Sequence, residues 1–200
     1  MIRSETLVQP NSVSVNPIIG LILIAIGLTI VGIFLAVPLY FIARGFAGRS
    51  VADRVKCDSV AKFKKFIGET PQYFDCESVA WNKDPTRLTG TGIAYTAKAI
   101  YILDNGMAAE IPWSAIREWR WRIEGYSQTR LIGGNTGQRI ENDVINTNAK
   151  VVARTMSGFF VLVSNINKPE WQFTSANETT LKKWNEIFTQ INEGRLEIAT

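Results

Sequence analysis

The chain has 200 residues, 46% of them hydrophobic, with 22 basic and 18 acidic side chains for a net charge of +4. That length leaves room for one globular domain of ordinary size and one membrane segment. Histidine is absent, which removes the commonest general base, the Ser-His and Cys-His nucleophile pairs and most zinc sites. The positive balance is local. Residues 44–65 hold seven basic and two acidic side chains, whereas residues 66–200 hold 14 basic and 15 acidic ones. A domain so close to neutral lacks the basic face that a nucleic-acid partner requires, so none is expected.

Residues 1–17 carry one Arg and one Glu among Ser, Asn and Pro and read as a short extracytoplasmic tail without regular structure. Residues 18–43 then run for 26 positions without a charge. About 20 apolar residues suffice to cross a bilayer as a helix. The run is too short for two spanning helices and too long, with too weak a basic flank, for a cleavable signal peptide. It predicts a single transmembrane helix. Only Arg3 precedes it and seven basic residues follow by position 65. The positive-inside rule therefore predicts a single-pass protein of the inner (plasma) membrane, N-terminus out and C-terminal domain in the cytoplasm. Ala25, Thr29, Gly32 and Ala36 line one helix face. They would suit a homodimer, although small residues are common in membrane helices anyway. Pro38 is expected to kink or end the helix.

Residues 44–69 form a basic connector, opened by a hinge at Gly45 and Gly48. Val55, Val60, Phe63, Phe66 and Ile67 recur at imperfect helical spacing. Two readings stand side by side. The helix lies on the membrane with Phe63 and Phe66 inserted, or it packs both rings on the domain. On the first reading Arg44, Arg49, Arg54, Lys56, Lys62, Lys64 and Lys65 contact anionic headgroups, each worth up to about 1 kcal/mol. Gly68, Thr70 and Pro71 stop the helix.

Residues 70–196 change to a strand period. Strands are expected at 73–81, 93–96, 99–103, 107–111, 116–124, 150–156, 159–164 and 171–174, with a loop marked by Asp84, Pro85 and Gly90. Asp104-Asn105-Gly106 is a strong hairpin signal, because Asn and Gly accept positive φ. In strand 116–124, Trp119, Trp121 and Ile123 alternate with Glu118, Arg120, Arg122 and Glu124. Residues 125–149, rich in Gly, Asn and Thr, read as a long loop inserted in the domain; their GGNTGQ lacks the Lys-Ser/Thr of a P-loop. Ser175 and Glu178 suggest a capping box, and Leu181, Trp184, Ile187, Phe188 and Ile191 form the apolar stripe of a last helix closed by Gly194. The expected class is α+β, mainly β: one N-terminal transmembrane helix, then a roll of seven or eight antiparallel strands capped by a C-terminal helix.

The run GIAYTAKAIYILDNGMAAEIPWSAIREWRWR resembles the opening strands of bacterial pleckstrin-homology-like domains. These show a Thr-containing turn, an Asn-Gly hairpin and an Ile-Pro-aromatic step into the next strand. GFFVLVSNINKPEWQFTSANETTLKKWNEIF is similar to their final strands and Trp-bearing helix. The resemblance, to membrane-anchored members of that group, covers roughly residues 70–194. It implies a scaffold that binds lipids, peptides or partner domains, often without an enzyme site. Lys98 with Arg120-x-Arg122 does not reproduce the basic hairpin pattern of eukaryotic phosphoinositide binders.

Arg117, Arg120 and Arg122 beside Trp119 and Trp121 form the most basic cluster of the domain. It reads either as a partner or anion face or as a strand whose arginines pair with neighbouring glutamates. Cys57 and Cys76 make no CxxC motif; they stay reduced in a cytoplasm and could form one disulfide outside it. No carboxylate pair stands out, and no catalytic residue, metal or cofactor is expected. The leading function is a membrane-tethered interaction module for a protein partner. The alternatives are a sensor of anionic lipid surfaces and an exclusion or immunity factor of a mobile element.

Overall fold

The computed structural model describes residues 2–27, 30–126 and 136–196, without the side chains of 30–35, 136–141 and 143. In chain order these hold β1 (Arg3–Thr6), β2 (Asn11–Ser12), α1 (Pro17–Gly27), α2 (Ile30–Ile67), β3 (Tyr73–Trp81), β4 (Asp84–Tyr95), β5 (Ala99–Asp104) and β6 (Met107–Pro112). A 3-10 turn (Trp113–Ala115) leads to β7 (Ile116–Arg122), α3 (Thr136–Met156), β8 (Gly158–Val163), β9 (Glu170–Thr174) and α4 (Glu178–Asn192).

Two antiparallel sheets carry the core. In the first, β3, β4, β5 and β6 form a meander; β1 adds to β6, and β2 adds to β4 beside β5. The second is the meander β7-β8-β9. The β5–β6 turn is the predicted one, with Asn105 at φ 49° and Gly106 at φ 83°. α4 closes the gap between the sheets and buries Leu181, Trp184 and Phe188. Each such side chain contributes about 1.5–3 kcal/mol through burial. Trp184 keeps its indole N–H satisfied by donating to Asp75 Oδ2 at 2.7 Å. The α4 cap differs from the expected box. Asn177 accepts from the backbone N–H groups of Thr179 and Thr180, while the Ser175 hydroxyl donates to Glu77.

The first sheet is covered on both faces, which is why all six residues of β5 are buried. Ile93, Ile100, Ile102 and Ile111 face the second sheet and α4. Ala94, Ala99, Tyr101 and Leu103 face the opposite way, onto Phe63, Phe66 and Ile67 of α2. The helix approaches closely because β4 offers glycine there. A Cβ at Gly90 would strike Ser59, and one at Gly92 would stand 3.0 Å from the Phe63 ring. Phe63 is fully buried. Of the two readings of the connector, packing on the domain is the one observed, and insertion of Phe63 and Phe66 into lipid is corrected.

The transmembrane expectation is also overturned. Among the described residues no helix is long and apolar enough to cross a membrane. The apolar run is divided between two helices. α1 has 11 residues, about 16 Å at 1.5 Å per residue against a hydrocarbon core of roughly 30 Å. α2 continues for 38 residues, but Arg44 ends its uncharged part after 14. Pro38 sits inside α2 without ending it, and the expected hinge at Gly45 and Gly48 is helix as well.

The tail is not free either. Arg3 to Thr6 pair with Glu110 to Met107, and Asn11 and Ser12 with Leu88 and Arg87. Val13 reaches α2, 3.7 Å from where a Cβ on Gly48 would stand. The start of α1 therefore lies beside the middle of α2, and its end lies three residues before α2 begins, so the two helices run antiparallel. Both ends of the apolar run return to the same β-domain. That removes the single-pass inner-membrane placement with the N-terminus on the far side.

The mainly-β class needs correction too, since four α-helices stand beside the strands. The largest miss after the N-terminal region is α3, which occupies part of the expected loop 125–149 and the whole of the expected strand 150–156. Asp84, Pro85 and Gly90 lie within the 12-residue β4 rather than in a loop. Of the small-residue stripe, Thr29 lies outside the described residues, as do the surroundings of Gly32; Ala25 is exposed and Ala36 half-buried.

Replacing Gly90 by Ala should lower stability by roughly 1–3 kcal/mol, the range for overpacking, read by urea unfolding. Ser59→Gly in the same chain should recover part of that loss relative to Ser59→Gly alone, a coupling that separates the helix–strand clash from a local effect on β4.

Candidate functional site

The exposed apolar surface is concentrated in one place. Among the described residues, eleven of the sixteen large hydrophobic side chains found exposed lie between Ile18 and Phe46. Leu21 and Phe46 are the most open of these, at 67% and 66%. Monomers in water rarely expose contiguous apolar patches beyond a few hundred Å². On α1 the exposed positions Ile18, Ile19, Leu21, Ile22 and Ile24 spread over more than half of the helix circumference, so this is more than one narrow greasy stripe. Ile19, Leu23 and Ile26 of α1 and Leu39, Ile42 and Phe46 of α2 line a groove of about 840 Å³ between the two helices.

Charge begins where the apolar surface ends. Arg44, Arg49, Arg54 and Lys56 are all exposed on the next three turns of α2. Further along the same helix the pattern changes. Lys62 pairs with Asp58 at 2.9 Å, Lys64 lies over the Phe74 ring at 5.4 Å, and Lys65 is exposed. The sequence-derived surface set thus divides. Arg44, Arg49, Arg54 and Lys56 ring the base of the α1–α2 pair, while Phe63 and Phe66 belong to the core.

At that base a second concavity of about 530 Å³ opens between α2, the β3–β4 pair and α3. Arg44 and Arg49 line it from α2 and Arg154 from α3, with Val79, Leu88 and Val151 among its apolar walls. Reading the sequence missed Arg154, because the segment that carries it was read as a strand. Its amphipathic spacing over residues 136–156 was the available signal.

The arginines of β7 are placed elsewhere. Arg120 pairs with Glu170 at 2.7 Å and Arg122 with Glu124 at 3.3 Å; the Arg122 guanidinium also lies 4.9 Å from the centre of the Phe160 ring. Trp119 and Trp121 point the other way, onto the core. Arg117 is exposed. Of the two glutamates flanking them in the chain, Glu118 and Glu124, Glu124 meets Arg122, whereas the partner of Arg120 is Glu170 of β9. Among the described residues no group of three His, Cys, Asp or Glu side chains could hold a metal ion.

The groups with altered proton affinity belong to the first sheet and the turn before it; Lys56 acts on one of them, Cys76, and another, Asp84, adjoins Pro85 of the second concavity. The Thr96 hydroxyl and Lys98 hold Glu69 below the usual carboxylate range, and Thr86 does the same for Asp84. Burial raises Tyr95 and Tyr101. Burial under α2 pushes the Cys76 thiol up to about 12, whereas Cys57 is exposed. Comparison with protein-family models, with curated proteins and with solved structures returns no match.

A thiol reagent at mild alkaline pH should label Cys57 at once and Cys76 only on unfolding. Because the folded state raises the Cys76 pKa, the unfolded chain releases this proton first. Its stabilising contribution is complete below about pH 9 and falls as pH rises toward 12. Urea unfolding across that window should show a shallower decline for Cys76→Ala than for the native chain.

Proposed function

We propose that this chain is a non-enzymatic binding module that attaches to a lipid surface by dipping the α1–α2 pair into one leaflet. The observation that carries the reading is the return of both ends of an exposed apolar run to one β-domain. Such a run can enter a bilayer and come back, and its reach of about half a hydrocarbon core suits that depth. Arg44 and Arg49 then lie nearest headgroup level, with Arg54 and Lys56 about 15–18 Å beyond Arg44 along the helix, and cations so placed are drawn to anionic lipid.

Magnitudes decide which force dominates. At roughly 1 kcal/mol for each half-exposed large side chain, eleven of them outweigh four cations worth up to about 1 kcal/mol each. Attachment is therefore mainly apolar, and the basic ring sets depth and lipid preference. The order of strands after Tyr73, a four-strand meander, a three-strand meander and a closing helix, supports kinship with pleckstrin-homology-like binding scaffolds. A second reading, a protein partner recognised by the same module, is favoured by α3, where Val144 and Ile145 stand half exposed.

Co-sedimentation of the full chain with phosphatidylcholine–phosphatidylglycerol vesicles tests this. Binding should weaken in high salt yet persist. Leu21→Asp with Phe41→Asp and Phe46→Asp should abolish it while leaving the unfolding midpoint of the β-domain within a few degrees. Native binding by that triple variant, or complete release of the native chain by salt, would remove the apolar attachment from the account.

A further inference from the structure

We infer that the concavity at the base of the α1–α2 pair is a binding site for the phosphate of an anionic phospholipid. This rests on the lipid-surface reading and adds a ligand to it. Three arginines line the space, Arg44 and Arg49 from α2 and Arg154 from α3, brought together from positions more than a hundred residues apart. Arginine presents a planar fork of donors that matches phosphate oxygens two at a time. The α2 floor between them is made of small residues, with Val13 over Gly48 at 3.7 Å from an added Cβ. Gly45, Gly48 and Ala52 follow one another along the lining of α2, and a Cβ on Gly45 would meet nothing within 4 Å.

Among the described residues the carboxylate found within 4.0 Å of these cations is Glu77. It stands 4.0 Å from Arg154 and also accepts the Ser175 hydroxyl at 2.9 Å, so it orients Arg154 without forming a close pair. A volume of about 530 Å³ falls in the range of small-ligand sites. Its walls are mixed: Val13, Val79, Leu88 and Val151 supply apolar surface beside the arginines. This suits a molecule that is charged at one end and greasy at the other. Position also points to a lipid. The site lies on the side of α2 away from the groove shared with α1, in line with the exposed Val37 and Phe41, which precede Gly45 at four-residue intervals. A headgroup held by the arginines would thus leave its acyl chains along that outer apolar face of α2. A zwitterionic lipid is disfavoured, because its choline cation would meet three guanidinium charges.

The test compares full-length variants on phosphatidylcholine vesicles with and without phosphatidylglycerol. The native chain should bind both and prefer the anionic ones. Arg154→Gln and Arg49→Gln should each lower that preference by about fivefold, the worth of one well-placed cation. Arg117→Gln, which removes the same charge on the far sheet, should keep it. Equal preference in Arg154→Gln and Arg117→Gln would overturn the site while leaving apolar attachment intact. Failure of the attachment itself would show differently, as no binding to either vesicle. Titration calorimetry with short-chain dihexanoyl phosphatidylglycerol and with glycerol phosphate separates the sources of phosphate. The lipid should bind the native chain and lose affinity in Arg154→Gln; equal affinity for glycerol phosphate would overturn the lipid assignment in favour of a free phosphate ester.

Discussion

The pairing of β1 with β6 governs the rest of this molecule. Four residues, Arg3 to Thr6, hydrogen-bond along the edge of the first sheet, and β2 pairs with β4. Everything between these strands and α2 must therefore start and finish at the same domain. A charge-free run of 26 residues would be ample to cross a bilayer if one end were free. With both ends held it folds back, and each arm is too short to span. The course of the apolar run is thus set by a few backbone hydrogen bonds at a sheet edge rather than by its hydropathy.

The same logic makes α2 two things in one helix. Its first half shares the exposed apolar surface with α1; its second half supplies Phe63, Phe66 and Ile67 to the outer face of the first sheet. Because one 38-residue helix carries both parts, the α1–α2 pair is rigidly continuous with the core layer beneath it. The arginine ring falls between the two halves, at the level where the helix leaves the β-domain. Apolar attachment and phosphate recognition would then share a single rigid element, with α3 contributing the third arginine from outside it.

Much of the β-domain was legible in the sequence. Strand β3, the Asn105-Gly106 turn, strands β5 to β9 and the apolar stripe of α4 follow from period, turn chemistry and punctuation, all local signals. The misses share a cause. Arg3 to Thr6 is too short and too polar to show alternation, and its strand exists only because β6 offers an unpaired edge. The stretch after Lys150 is rich in β-branched residues, which favoured strand, yet it continues the amphipathic helix α3 that packs on β3, β4 and β9. Gly90 suggested a loop, whereas it is the point of closest approach between α2 and β4.

From the sequence alone one could establish the charge-free run, the basic segment that follows it, the lack of histidine and the strands β3 and β5 to β9. These are properties of composition and of neighbours along the chain. Only tertiary structure decided that the run is split into an antiparallel pair, that Phe63 and Phe66 face a sheet instead of lipid, and that Arg154 joins Arg44 and Arg49. Each depends on contacts between residues far apart in the chain. No local period encodes which sheet edge a short strand will find.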